Sequence, residues 1–176
     1  MTVATVRQAN PDDAECFSQL AERAFRETFT TEENLADMAL YCKQTFGVEV
    51  QSRELRDPNN VLLLAEVEGR LAGFAQIRLC SPKDCVEATQ PLELYRLYVL
   101  RPWHGRGVAQ ELMERVLAIA AESNADQLWL GVWEHNPRAI AFYKKYGFQF
   151  VGEHVFQFGN DPQRDLIMMK AVDAAI

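Results

Sequence analysis

The stretch His104-Gly105-Arg106-Gly107-Val108-Ala109 has the make-up of an anion cradle. Gly105 and Gly107 let the main chain take positive φ and approach a ligand closely. Val108, Leu112, Val116 and Ile119 then recur at helical spacing. The open N–H groups of that helix's first turn therefore face the same space, with the positive end of the helix dipole behind them. Arg106 adds a cation. Such a site suits a phosphate or pyrophosphate. The same residues also suit a plain strand-to-helix turn, because glycine-rich turns are common. Two nucleotide fingerprints fit poorly. Gln110 stands where G-x-G-x-x-G needs its third glycine, and no Gly-Lys-Ser/Thr closes the loop as in a P-loop.

The elements that must position this loop are readable on both sides of it. Glu93-Leu-Tyr-Arg-Leu-Tyr-Val99 is aromatic, apolar and β-branched, which predicts a largely buried strand ended by Pro102. Upstream, the pattern predicts a strand over 3–8 and a helix entered through Asn10 and Pro11 that runs to about Phe29. A second helix restarts after Thr30, and a further helical piece covers 48–55. Strands over 61–66 and 70–79 turn at Glu68-Gly69, and 80–91 is a loop. Downstream come a strand over 126–132 and a helix over 138–146 stopped by Gly147. A closing hairpin over 148–158 and 164–170 is joined through Gly159-Asn160-Asp161-Pro162. This order makes a mixed α/β sandwich in one domain, 1–176.

A chain of 176 residues with 48% hydrophobic and 24% charged content buries a core without staples. No apolar run approaches the ~20 residues of a membrane span, and no signal segment opens the chain. Cys16, Cys42, Cys80 and Cys85 form no C-x-x-C pair and have no histidines at zinc spacing, so they read as reduced thiols of a cytoplasmic protein without a metal. A net charge of −7 disfavours nucleic acid and anionic membranes as partners, and suits a cationic substrate or simple solubility.

The block His104–Ala109 resembles the Gln/Arg-x-x-Gly-x-Gly/Ala signature of the GNAT superfamily of N-acetyltransferases. A second block, Asn136-Pro-Arg-Ala-Ile-Ala-Phe-Tyr143-Lys-Lys-Tyr-Gly147-Phe148, resembles that family's later motif, in the same order and spacing. One departure is His104, where Gln or Arg is usual. Its backbone N–H is expected to serve, with a softened contact. The resemblance covers essentially the whole chain. It implies a GNAT-type mixed, mostly antiparallel seven-stranded sheet flanked by about four to five helices, whose fourth and fifth strands splay into a wedge. It also implies acetyl-CoA as co-substrate. The pantetheine arm would lie along Leu97, Tyr98 and Val99, and the pyrophosphate on His104, Gly105, Arg106, Gly107, Val108 and Ala109. Asn136 would contact the arm, Val99 N–H would hold the oxyanion, and Tyr143 would stand by the sulfur as general acid.

Acetyl transfer needs a neutral amine, and an alkylamine has a pKa of roughly 10. Glu93, at the start of the central strand in an apolar neighbourhood, is the base candidate, acting directly or through water. Arg96 is expected to pair with a carboxylate. Acceptor choice in this family lies in the first helices, the loop before the fourth strand and the closing hairpin. Here these carry Glu22, Glu27, Glu32, Glu33, Asp37, Asp84, Glu87, Glu153 and Asp161. The segments 128–136, 152–159 and 165–168 resemble the spermidine/spermine acetyltransferase branch of PaiA type. Phe29, Tyr95 and Trp133 suit the methylene runs of a polyamine. The expected acceptor is therefore a polyamine such as spermidine or spermine, attacking directly in a ternary complex. The rivals are a protein N-terminus or lysine, as in ribosomal-protein acetyltransferases, and an acetyl-CoA sensor without turnover. Exposed edge strands permit a homodimer, by analogy with the fold.

Overall fold

The computed structural model describes residues 3–174. In chain order it contains β1 (Thr5–Gln8), α1 (Ala14–Phe29), α2 (Leu35–Thr45), α3 (Val48–Arg56), β2 (Asn60–Val67), β3 (Arg70–Arg78) and β4 (Pro91–Val99). There follow α4 (Val108–Glu122), β5 (Gln127–Trp133), α5 (Pro137–Lys145), β6 (Gln149–Phe158) and β7 (Asp161–Ala171). The seven strands form one sheet in the order β1-β2-β3-β4-β5-β7-β6. Every neighbouring pair is antiparallel except β4 and β5, which run parallel. This is the α/β sheet that the sequence implied.

The parallel pair holds together only over Pro91–Glu93 against Gln127–Trp129. Beyond that, β5 follows β7 along its whole length and β4 stays with β3 as far as Val99, so the two strands part into a fork. An irregularity in the β3–β4 ladder marks the same place. Gln76 faces Arg96 and Ile77 faces Leu94, which leaves Tyr95 as an extra residue on β4. Such a bulge bends and twists its strand. It also resets the alternation of faces. Leu92, Leu94, Leu97 and Val99 pack toward α4 and α5, whereas Tyr98 joins the core under α1 and α2.

Each face has its own apolar core. The stripe Val108, Leu112, Met113, Val116 and Ala120 of α4 is buried against one face. Phe17, Leu20, Ala21, Ala24 and Phe25 of α1, with Met38 and Cys42 of α2, are buried against the other. A small third cluster of Val86, Trp129 and Ile167 pins the loop between β3 and β4, and Trp129 Nε1 donates to the Ser81 carbonyl at 2.8 Å.

Two local expectations differ from the structure. The first helix opens with a 3₁₀ turn, Pro11–Asp13, held by a reciprocal capping box between Asn10 and Asp13. The closing hairpin turns more tightly than expected, with Phe158 opposite Asp161, so Asp161–Gln163 belong to β7. Pro162 is tolerated in a strand because β5 contacts β7 only from Asp165 onward, so no ladder bond is lost on that side. No helix among the described residues is long and apolar enough to cross a membrane.

Candidate active site

A cleft of about 1120 Å³ runs through the fork from one face of the sheet to the other. At the α4 end, Gly105 and Gly107 take φ of +73° and +83°, and a Cβ at either would meet nothing within 4 Å. Gly107 caps α4 with no side-chain hydrogen bond, which leaves the helix's first-turn N–H groups open. Gly105, Gly107, Val108 and Ala109 line the cleft. Arg106 does not; its guanidinium lies over the Trp103 ring, 5.3 Å from the centroid.

His104 behaves differently from expectation. Its backbone N–H is already committed to the Arg101 carbonyl at 3.1 Å, because Arg101–Trp103 forms a 3₁₀ turn. The side chain bridges the cleft instead. Nε2 lies 2.7 Å from the Val99 carbonyl and Nδ1 lies 2.7 Å from Arg138 Nη1. The carbonyl only accepts and the guanidinium only donates, which fixes the tautomer with the proton on Nε2.

The β4 edge supplies main-chain groups in alternation. Leu100 N–H donates to Ala72 C=O, so the pair Val99 and Gly73 is of the non-hydrogen-bonded kind, and Val99 and Leu97 turn their own N–H and C=O away from β3. Those groups face the fork that β5 has vacated. Tyr98 is the other parity: its main chain is paired to β3, and what it gives the cleft is its ring.

On the far wall, Asn136 caps α5, its Oδ1 accepting from Ala139 N–H at 3.2 Å, which leaves its amide NH₂ for a ligand. Tyr143 lies in the last turn of the same helix. That turn closes in a Schellman motif: Phe148 N–H donates to Tyr143 C=O, and Gly147 N–H to Lys144 C=O, with Gly147 at φ +89°. Phe148 and Phe142 pack edge-on to the Tyr143 ring at 5.8 and 5.5 Å. The ring is 8% exposed, and burial pushes the phenol well above its ordinary value, so at neutral pH it keeps its proton.

On the α1–α2 face, Glu93 sits on the last paired rung at the base of the fork. Its surroundings are polar and not the apolar neighbourhood expected. Ser81 Oγ donates to Glu93 Oε2 at 2.8 Å, and Arg78 Nη1 lies 3.9 Å from the same oxygen. Among the described residues Arg96 has no carboxylate partner of the kind expected. It donates to Gln76 Oε1 at 2.9 Å and to the Tyr95 hydroxyl at 3.0 Å, and the carboxylate stands one link further on, where Gln76 Nε2 donates to Glu54. The bulge at Tyr95 is the cause, since it sets Arg96 directly opposite Gln76.

Of the acids read as acceptor-facing, Glu33, Asp37 and Asp161 line the cleft. Others are spent elsewhere: Glu22 on Arg26, Glu27 on Arg23 and the Arg101 main chain, Glu153 on Arg164. Phe29, Tyr95 and Trp133 all line the cleft.

Known proteins place this geometry. The model of the Acetyltransferase (GNAT) family matches residues 17–148. The chain belongs to the GNAT family. An uncharacterized N-acetyltransferase of Lactobacillus delbrueckii subsp. lactis is 29% identical over 172 residues, 98% of this chain and 99% of that one. The spermine/spermidine N(1)-acetyltransferase of Bacillus subtilis (strain 168) is 30% identical over 87 residues, 49% of this chain and 57% of that one. The PaiA N-acetyltransferase of Thermoplasma acidophilum, solved in complex with coenzyme A, shares the fold with a TM-score of 0.73 at 18% identity, covering 96% of this chain and 99% of that one. The protein is thus a GNAT N-acetyltransferase with acetyl-CoA as donor.

Within this GNAT domain the residues present fit that donor. The glycine loop and open α4 N-terminus suit the pyrophosphate, and the unpaired groups of β4 other than the Val99 carbonyl, which His104 holds, suit an arm with amide groups. Four cleft residues escaped the reading of the sequence. Arg138 and Lys145 stand two turns apart on α5, a spacing that puts both on one helix face, and they add cations on the donor side. His154 and Asp165 lie across the β6–β7 ladder from each other, at a register that the sequence left unset.

Proposed function

We propose that this GNAT enzyme transfers the acetyl group to a primary amine of a polyamine such as spermidine or spermine, by direct attack in a ternary complex. The observation that carries this is the acidic, aromatic mouth of the cleft. Glu33, Asp37 and Asp161 line it, and among the described residues none of them is in an ion pair. Phe29, Trp133 and Phe156 provide apolar wall for methylene segments between charges. Arg96, buried and lining the inner part, makes the opposite field there, which favours a neutral attacking nitrogen. A polyamine meets both demands, with distal ammonium groups at the acids and the reacting amine inside. The likeness to the Bacillus enzyme supports the same class.

The tip of the cleft supports a small acceptor over a peptide. Asp37 of α2 accepts from Asn160 N–H of the hairpin at 2.8 Å, and Tyr41 packs on Phe156 and Phe158 at 5.4 and 5.7 Å. These contacts bridge the groove that a peptide would need open. In this reading Val99 N–H holds the oxyanion and Tyr143 protonates the departing sulfur. Glu93, on β4, is one candidate for the group that takes the amine's proton. Free-thiol release from acetyl-CoA tests it, with spermidine, spermine, putrescine, lysine-terminated peptides and a no-amine control. Saturable turnover with spermidine or spermine is expected. Turnover with peptides alone would sink the polyamine assignment.

A further inference from the structure

We propose that His154 and Asp165 together form the proton acceptor for the attacking amine. With the donor assigned to the α4–α5 side, the acceptor is assigned to the α1–α2 side, where Phe29, Glu33, Asp37 and Asp161 line the cleft. The groups that border the fork on that side decide where its proton goes. Glu93 is one, but its Oε2 already receives the Ser81 hydroxyl and stands beside the Arg78 guanidinium. That oxygen is thus already engaged within the protein.

His154 and Asp165 offer another acceptor. They face each other across the β6–β7 ladder, and both line the cleft. His154 Nε2 lies 3.5 Å from Asp165 Oδ2. The room for the pair comes from β5. A Cβ at Gly131 would come 3.3 Å from Asp165 Oδ2 and 3.4 Å from His154 Cε1, so a larger residue there would press on both. His154 Nδ1 is enclosed and has no partner among the described residues. Nε2 faces the carboxylate at a distance too long for a hydrogen bond, and it takes a proton only with the ring's own proton on Nδ1; an incoming ammonium then donates to both Nε2 and Asp165 Oδ2, and the carboxylate stabilises the imidazolium once formed.

Among the described residues, Asp37 and Tyr41 of α2, Arg96 and Tyr98 of β4, Tyr143 of α5 and Asp161 of β7 line the same cleft, and β5 brings Gly131, Val132 and Trp133. The neighbouring cation, Arg164, is tied to Glu153 and Glu134.

A protonated amine sheds two protons in becoming an amide. The first passes, with Asp165 orienting the ammonium, to His154 Nε2 and then to solvent. The freed nitrogen lone pair attacks the acetyl carbon, the C–N bond forms and the C–S bond breaks. The bonding pair leaves on sulfur, which takes the Tyr143 proton. The second nitrogen proton restores the charge balance by replacing it.

This inference rests on the N-acetyltransferase assignment and not on the polyamine. The test therefore follows pH profiles of kcat with both spermidine and n-butylamine, a simple amine that needs no acidic mouth. His154→Gln is expected to lower kcat about 100-fold or more, within the range for a general base. It should also abolish the limb that a histidine gives between about pH 5 and 8, with acetyl-CoA affinity unchanged. Asp165→Asn should lower kcat about tenfold through lost orientation, and Glu93→Gln should retain the limb. A His154→Gln enzyme within threefold of wild type, or a limb that vanishes in Glu93→Gln instead, overturns the proposal. Should His154→Gln lose acetyl-CoA binding through misfolding, Asp165→Asn decides, since unchanged kcat there also overturns it. Turnover of n-butylamine without spermidine would reject the polyamine assignment and leave this test intact.

Discussion

Replacing Tyr143 by phenylalanine removes one oxygen from the cleft wall and leaves the packing of the ring. Phe148 and Phe142 hold that ring edge-on, and the Schellman turn around Gly147 fixes the backbone beneath it, so the substituted phenyl ring would occupy the same space. No hydrogen bond of the hydroxyl to another group occurs among the described residues, so its loss orphans no partner and stability should stay within about 1 kcal/mol of wild type. In the proposed mechanism the cost falls on the chemistry. Without an acid the thiolate must leave unprotonated, and general acids contribute about 10²–10⁴ in rate. We expect kcat to fall about 100-fold, about 2.7 kcal/mol of transition-state stabilisation, with the Kd for acetyl-CoA unchanged. The pH dependence follows from burial. The phenol is held above its ordinary value, so the acid form persists through the alkaline range, and Tyr143 contributes no fall in rate below about pH 10. Thiol release monitored from pH 6 to 10, beside a calorimetric acetyl-CoA titration and a melt, measures all three. A Tyr143→Phe enzyme with wild-type kcat would refute the reasoning, as would a loss that merely tracked weaker acetyl-CoA binding.

Other perturbations separate the parts of the cleft. Gly107→Ala forces φ near +83° on a residue with a Cβ, a strain of about 1–3 kcal/mol, so we expect a lower Tm and at least about tenfold weaker acetyl-CoA binding by titration. Glu33→Gln combined with Asp161→Asn should raise the KM for spermidine about tenfold, leave that for n-butylamine unmoved, and flatten the dependence on salt. Gln76→Leu strips buried Arg96 of a charge-assisted hydrogen bond and cuts its link to Glu54, at a cost of about 2–3 kcal/mol. A drop of about 5–10 °C in Tm is the expected readout.

The sequence was most legible where chemistry and local geometry coincide. The glycines of the α4 loop, the amphipathic stripe of α4 and the Gly147 stop after α5 each depend on residues within a few positions, and all appear where the pattern put them. What stayed hidden depends on partners far along the chain. The Arg96 network needs the β3–β4 register and the bulge at Tyr95, and it draws Glu54 from α3. The bridge made by His104 needs the end of β4 and the start of α5 to lie side by side. The His154–Asp165 pair depends on a turn. A hairpin looped through Pro162 would set Phe158 opposite Arg164 and His154 opposite Met168. The tighter turn, Phe158 opposite Asp161, brings Asp165 to the histidine instead.

In the proposed mechanism the fork lets acid and proton acceptor come from opposite layers. A continuous β4–β5 ladder would seal one face from the other; pairing confined to Pro91–Glu93 leaves a passage at sheet level. The donor side then draws on α4 and α5, whose buried faces exclude water around the Tyr143 hydroxyl and keep it protonated. The acceptor side draws on β6 and β7, where Gly131 leaves space for a histidine and a carboxylate. The separation serves geometry, since a phenol held above its ordinary value keeps its proton even beside an imidazole. With the thioester between them, a proton can leave the amine on one side while another reaches sulfur from the other.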